Sequence, residues 1–151
     1  MERAANIRVY KVEDKSTLMD ILSLNVPQYF HKNEIEDYFN YLDYEIEDYF
    51  VIEFDNQLIG AGGINFANNR TIGKISWDII HPNQQKKGFG KQLLTHRIEH
   101  LKKIDSVELI SVRTSQHTYK FYEKNGFKLN NIIKDYWAEG FDLYEMTHVK
   151  I

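Results

Sequence analysis

The chain has 151 residues, 42% of them apolar and 27% charged, which is a globular composition long enough to bury one core without covalent staples. It contains no cysteine, which excludes disulfides, thiolate catalysis and cysteine-ligated zinc. The formal charge of −3 argues against a general nucleic-acid binder, no stretch is apolar enough to span a bilayer, and Met1 to Asn6 lead into no apolar run, so a soluble, cytoplasmic protein without a secretory leader is expected.

The only prolines are Pro27 and Pro82, and neither a repeat nor a Ser/Gly-rich linker divides the chain. Residues 1–151 are therefore read as a single domain. Ile7 to Lys11 is a short strand. Asp14 or Ser16 caps a helix through Leu18, Ile21 and Leu22 that ends before Pro27. Asn33 caps a second helix through Ile35, Tyr38, Phe39 and Leu42. Tyr49 to Phe54 and Leu58 to Phe66 are strands joined at Asp55-Asn56, a hairpin signal. Thr71 to Ile80 is a strand closed by His81-Pro82, and Phe89 to Lys103 is the clearest helix. Val107 to Val112 is a strand and Ser115 to Asn125 a helix, with Gly126 where a C-terminal glycine cap belongs. Phe127 to Asp135 and Phe141 to Val149 are the last strands. The order β-α-α-β-β-β-α-β-α-β-β predicts an α/β fold with a mixed, mostly antiparallel central sheet and helices on both faces. The strands on either side of the long helix should run parallel.

The most informative segment is His81-Pro82-Asn83-Gln84-Gln85-Lys86-Lys87-Gly88-Phe89-Gly90-Lys91. A strand ends, a proline turns the chain, two glycines follow and an amphipathic helix begins. Glycines there let backbone amides approach an anion, and the new helix offers its unpaired N–H groups. Each charge-assisted amide bond contributes about 1.5–3 kcal/mol, against ~0.3–1 for the helix dipole, so the amides dominate. Lys86, Lys87 and Lys91 add positive charge. The segment is not a dinucleotide fingerprint, because Leu93 holds the third glycine position. Gly60-Ala61-Gly62-Gly63 fails as a cradle because it lies within a strand and no helix follows.

Pro-x-x-Gln-x-x-Gly-x-Gly, as Pro82, Gln85, Gly88 and Gly90, resembles the acyl-CoA signature of the GCN5-related N-acetyltransferase (GNAT) superfamily. The resemblance implies a GNAT fold in which the amides of Gln85, Lys86, Lys87, Gly88, Phe89, Gly90 and Lys91 hold the pyrophosphate of acetyl-CoA as cosubstrate. It also implies a backbone N–H near Ile79 or Ile80 for the acetyl carbonyl. A second segment, Ser115 to Phe127, resembles the family's Asn-x-x-Ala-x-x-x-Tyr-x-x-x-Gly-Phe. Tyr122, Gly126 and Phe127 match it, whereas Ser115 and Thr118 replace the asparagine and alanine. Ser115 keeps a hydroxyl for the pantetheine arm. The leaving thiolate titrates near pKa ~8.5 and a phenol near ~10, so a phenol can hold a proton until the thiolate departs. The resemblance assigns that role to Tyr122.

The acceptor amine must lose a proton at a cost of roughly 4–5 kcal/mol at neutral pH. Many relatives keep a glutamate for this at places that look like Lys74 and Ser111 here. Asp78, placed on the same strand face as Lys74 by alternation, either relays that proton through water or pairs structurally. Glu139 and Asp142 are weaker candidates. Residues 34–48 hold Glu34, Glu36, Asp37, Asp43, Glu45, Glu47 and Asp48 and no lysine or arginine. The resemblance puts these helices along the acceptor groove, where an acidic wall would attract a cationic amine. The bland alternative is a solvated face. The interleaved Tyr29, Phe30, Tyr38, Phe39, Tyr41 and Tyr44 are mostly core, with some shaping the pocket.

Expected partners are therefore acetyl-CoA and an amine acceptor of open identity, without nucleic acid or membrane, with a homodimer left open. Two other readings compete. A GNAT-fold chain could bind acyl-CoA as a sensor without turnover. His96-Arg97-Ile98-Glu99-His100 also matches the zinc motif His-x-x-Glu-His. The apolar stripe of that helix, Leu94, Ile98 and Leu101, leaves His96 and Glu99 on the opposite, solvated face, so no metal is expected.

Overall fold

The computed structural model describes residues 5–149. Its strands are β1 (Asn6–Val9), β2 (Asp48–Phe54), β3 (Gln57–Ala67), β4 (Ile72–Ile80), β5 (Leu109–Thr114), β6 (Lys128–Ala138) and β7 (Phe141–Val149). Its helices are α1 (Lys15–Leu24), α2 (Glu34–Tyr44), α3 (Phe89–Lys102) and α4 (Tyr119–Lys124). The strands form one seven-stranded sheet in the order β1-β2-β3-β4-β5-β7-β6. Among the described residues only β4 and β5, joined through α3, are parallel, as the long crossover requires; the other pairings are antiparallel.

Each face of the sheet carries its own core. Phe89, Leu93, Leu94 and Leu101 of α3 and Tyr122 of α4 cover one side, over Ile64, Ile75 and Ile110. Leu18, Ile21 and Leu22 of α1 and Tyr38, Tyr41 and Leu42 of α2 cover the other, over Tyr49, Val51, Ala61 and Ile79. No helix among the described residues is long and apolar enough to cross a membrane.

Local chemistry explains most boundaries. Asp55 and Asn56 both adopt left-handed φ (52° and 60°), the geometry of a two-residue hairpin turn. Gly126, at φ 96°, ends α4 as a glycine cap. Asn33 makes no side-chain cap; Glu34 Oε2 instead accepts the His31 amide (2.9 Å). Residues 115–118 form a turn rather than the first turn of α4: the amides of Thr118 and Tyr119 both donate to the Ser115 carbonyl.

Strand β4 departs from regular alternation. Ala61 pairs with Ile79 and Gly63 with Ser76, so Trp77 and Asp78 together oppose Gly62. This is a β-bulge, and Trp77 takes a left-handed φ of 49° to make it. In a regular strand Ile75 and Ile79 would share a face, yet Ile75 lies in the α3 core and Ile79 in the α1/α2 core. The expectation that Asp78 shares a face with Lys74 is therefore corrected. The extra residue turns Asp78 toward α3.

Candidate active site

Past the bulge, β4 borders an open cleft of about 1160 Å³. At one end lies the turn into α3. Gly88 precedes the helix at φ 90°, and a Cβ built on it would meet nothing within 4 Å, so the backbone there is bare toward open space. Lys86 is also left-handed (φ 62°), and alternation of this kind builds the backbone concavities that bind anions. The Gln92 amide donates to the Gly88 carbonyl (3.1 Å). The amides of Phe89, Gly90 and Lys91 therefore precede the first bond of the helix and have no carbonyl within it to meet. This donor set suits a pyrophosphate.

The side chains around the cradle are less uniform than their neighbouring amides. Gln85, Lys86, Gly88, Gly90 and Lys91 line the cleft. The Phe89 ring is buried against Phe54 instead, and Lys87 bonds Gln84. Gln85 is a clamp: its amide group donates to Asn25 Oδ1 (2.8 Å) and to the Ile80 carbonyl (3.0 Å). Asn25, only 2% exposed at the end of α1, donates in turn to the carbonyls of Ile21 and Ile80. The loop is thereby tied to α1 and to the end of β4. Nothing in the sequence marked Asn25. Ile79 and Ile80 line the cleft as the last residues of β4, and Ser115 lines it from the turn before α4, its Oγ accepting the His117 amide (3.2 Å).

At the bulge itself, Tyr122 and Asp78 meet in the cleft. The Tyr122 hydroxyl donates to Asp78 Oδ2 at 2.5 Å. Burial, and then the negative Asp78 carboxylate, push the Tyr122 hydroxyl well above the usual tyrosine range, while Arg97 pulls it partly back. Asp78 Oδ1 pairs with Arg97 Nη2 at 2.5 Å, and Arg97 is fully buried. Sequence reading singled out Tyr122 and Asp78 but not their contact, and gave Arg97 no role. It placed Ile98 on the buried stripe of α3, but Ile98 is half-buried and Arg97 takes the inner position. The available signal was spacing, since Arg97 lies four residues from both Leu93 and Leu101.

The opposite side of the bulge is also tied down. The Trp77 carbonyl accepts the Tyr49 hydroxyl (2.8 Å), and Tyr38 and Tyr49 join hydroxyl to hydroxyl (2.7 Å). Burial, above all, raises both hydroxyls above the tyrosine range. The bulge is thus gripped through Trp77 on one face and Asp78 on the other.

Lys74 and Ser111 are register partners across β4 and β5, and both line the cleft. Asp142 Oδ1 accepts the Asp135 amide (2.8 Å), and Glu139 is exposed in the hairpin between β6 and β7, outside the lining. On the acceptor side Glu34, Asp37, Glu45 and Glu47 line the cleft with Tyr29, Phe30 and Tyr41. Burial raises the Glu34 carboxyl above its ordinary range, against the His31 amide, which lowers it. Asp43 pairs with Lys15 (2.7 Å), while Phe39 and Tyr44 are exposed. The two histidines of the His-x-x-Glu-His match stand edge-on to Phe50, with ring centroids 4.9 and 5.9 Å away. No group of three metal-ligating side chains occurs among the described residues.

The Acetyltransferase (GNAT) family model matches residues 18–127, and the chain belongs to that family. It is 40% identical over 65 residues to the uncharacterized N-acetyltransferase YvbK of Bacillus subtilis, a match that covers 42% of each chain. Over 88 residues it is 26% identical to an amino-acid acetyltransferase of Neisseria meningitidis, which covers 58% of this chain and 20% of that protein. These matches therefore span less than half the length of the curated relatives.

Solved structures share the fold over nearly the whole chain. A protein assigned to the GNAT family in Desulfovibrio desulfuricans superposes with a TM-score of 0.81 at 17% identity, covering 98% of this chain and all of that one. An aminoglycoside 6'-N-acetyltransferase complexed with coenzyme A gives 0.77 at 16% identity, covering 97% of each chain. Spermidine N-acetyltransferase from Vibrio cholerae, in complex with CoA and spermine, gives 0.74 at 20% identity, covering 97% of this chain and 95% of that one.

Proposed function

We propose that residues 1–151 act as one cytoplasmic domain that transfers an acetyl group from acetyl-CoA to a primary amine by direct attack. The observation that carries this reading is the contact of Tyr122 with Asp78 inside the cleft that the glycine cradle opens. Acetyl-CoA is consumed as a substrate. The amides of residues 85–91 hold its pyrophosphate, and a backbone N–H of β4 near Ile79 or Ile80 polarises the thioester carbonyl. Ser115 faces the pantetheine arm. Tyr122 supplies the proton for the departing sulfur, and Asp78 takes the proton that the nitrogen gives up.

The four carboxylates along the acceptor side outnumber Lys74, which lines the cleft beside Asn65, and support a cationic amine, since a net negative lining raises the local concentration of the opposite charge. Structural neighbours that bear the names of spermidine and aminoglycoside acetyltransferases agree with that class of acceptor. The test is a screen of polyamines, aminoglycosides, amino acids and peptides with acetyl-CoA, following free thiol. Release of CoA that depends on an amine, unaffected by chelators, is the expected result. Calorimetric binding of acetyl-CoA with no release over any amine would instead make the chain a sensor.

A further inference from the structure

A buried guanidinium is costly unless its donors and its charge are both met. Three elements surround Arg97. Nε donates to the Leu93 carbonyl of its own helix (3.2 Å) and Nη1 to the Gly63 carbonyl of β3 (3.1 Å), while Nη2 and Asp78 Oδ1 on β4 form an ion pair in which neither atom has a hydrogen-bond partner, so the charge is met by proximity alone. Gly62 makes the room: a Cβ there would stand 2.2 Å from Asp78 Oδ1 and 2.8 Å from Arg97 Cζ. The cradle does not need this arginine, which lies about 10 Å along α3 from Gly90. What Arg97 does reach is the carboxylate whose second oxygen holds the Tyr122 hydroxyl.

We propose that Asp78 and Tyr122 work as one proton-transfer pair, and that Arg97 is the positioning residue that holds the pair together. The proposal rests on the acetyltransferase reading above. Without substrate, the phenolic proton points at Asp78, and burial together with the negative carboxylate keeps it on oxygen. The amine attacks as the free base, and its nitrogen must shed a proton once the C–N bond forms. Asp78, whose side chain is 19% exposed at the cleft, takes that proton. The neutral carboxyl then donates to the Tyr122 oxygen, so the charge and the hydrogen bond that opposed phenol ionisation are gone. Tyr122 gives its proton to sulfur as the C–S bond breaks and recovers one from Asp78. One proton passes from nitrogen to sulfur, and the three side chains end as they began. Without Arg97 the carboxylate loses its fixed geometry and its countercharge.

The test compares Arg97→Met, Arg97→Lys, Gly62→Ala and Tyr122→Phe, with folding checked by circular dichroism. Gly62→Ala keeps every charge and displaces the contact, so it and Arg97→Lys decide the matter if Arg97→Met does not fold. With spermine, an aminoglycoside and an alanine-terminated peptide as acceptor probes, kcat should fall about 10–100-fold in Arg97→Met and Gly62→Ala, and less in Arg97→Lys. KM for acetyl-CoA should stay within about twofold, because the cradle is untouched. Adding Arg97→Met to Tyr122→Phe should cost little more, since both act on one pair. Proton NMR adds a readout that needs no turnover. A far-downfield hydroxyl signal should be present in the wild type, absent in Tyr122→Phe and lost or moved in Arg97→Met and Gly62→Ala. Unchanged kcat and an unchanged signal in a folded variant would overturn the proposal, as would losses that multiply in the double mutant. A wild-type chain that acetylates none of the probes would defeat the acetyltransferase reading and the coupling with it, while the NMR signal would still decide whether Arg97 holds the pair.

Discussion

Tyr122→Phe removes one oxygen from a buried contact and almost no volume. Acetyl-CoA affinity should persist in calorimetry, while kcat falls by about 10²–10⁴-fold with little change in KM. Full kcat in the variant would show that sulfur leaves without that proton. Asp78→Ala tests a different property of the same network. It strands the fully buried Arg97 guanidinium, and breaking a buried pair from one side costs about 3–5 kcal/mol. Urea denaturation should show a loss of that size; a loss below ~1 kcal/mol would mean that Arg97 finds another partner. Both residues were legible as candidates, Tyr122 through the Tyr-x-x-x-Gly-Phe pattern and Asp78 as a carboxylate near the end of its strand. Their contact was not legible, because it joins positions 44 residues apart.

At the scale of the element, the turn into α3 is written locally. Gly88 holds φ 90° with open space where a side chain would project, so a side chain there fits at a cost of about 1–2 kcal/mol in left-handed strain. Gly88→Glu should abolish acetyl-CoA binding in calorimetry while leaving the fold intact, because a carboxylate would stand where the pyrophosphate belongs. Near-wild-type affinity would remove the cradle from the mechanism. Strand β4 is the opposite case. Its apolar pattern identified a strand, and nothing in residues 72–80 announced the extra residue at Trp77. The bulge is held by partners from elsewhere, Tyr49 on one face and Arg97 on the other. Helix α4 was read too long for a related reason. Ser115 and Thr118 suit a helix start, but the turn they form closes on the Ser115 carbonyl and oxygen first.

Across the whole molecule, two fields of charge should be measurable. Lys86, Lys91 and Lys120 border the cradle side of the cleft, and Glu34, Asp37, Glu45 and Glu47 border the acceptor side, where Lys74 offsets part of their charge. For a cationic acceptor, KM should rise with ionic strength, since mobile ions screen such attraction over ~10 Å at 0.1 M. Salt-independent KM, or a preference for neutral acceptors, would reject the steering. The second test is alkaline stability. Tyr38, Tyr49 and Tyr122 all hold their protons beyond the ordinary tyrosine range, chiefly because they are buried. Their folded-state pKa values lie above the unfolded value near ~10, so their contribution is intact below that pH and is lost above it. The unfolded chain then releases protons that the folded chain keeps. Stability should fall by up to about 1.4 kcal/mol per pH unit for each tyrosine. Thermal melts from pH 9 to 11 should show that decline, and a flat profile would mean that these hydroxyls ionise without unfolding.

What the sequence determined by itself are the features set by neighbours along the chain. Periodicity separated helices from strands, glycines and Asp55-Asn56 fixed turns, the long crossover made β4 and β5 parallel, and the spacing of Pro82, Gln85, Gly88 and Gly90 marked the cradle. Tertiary structure alone decided which face Asp78 takes, that the Gly62 gap admits Arg97, and that Tyr122 meets the carboxylate. The physical reason is that one inserted residue reverses every side chain beyond it in a strand. Whether such a bulge persists depends on hydrogen bonds and ion pairs from distant elements, not on the propensities of the strand that contains it.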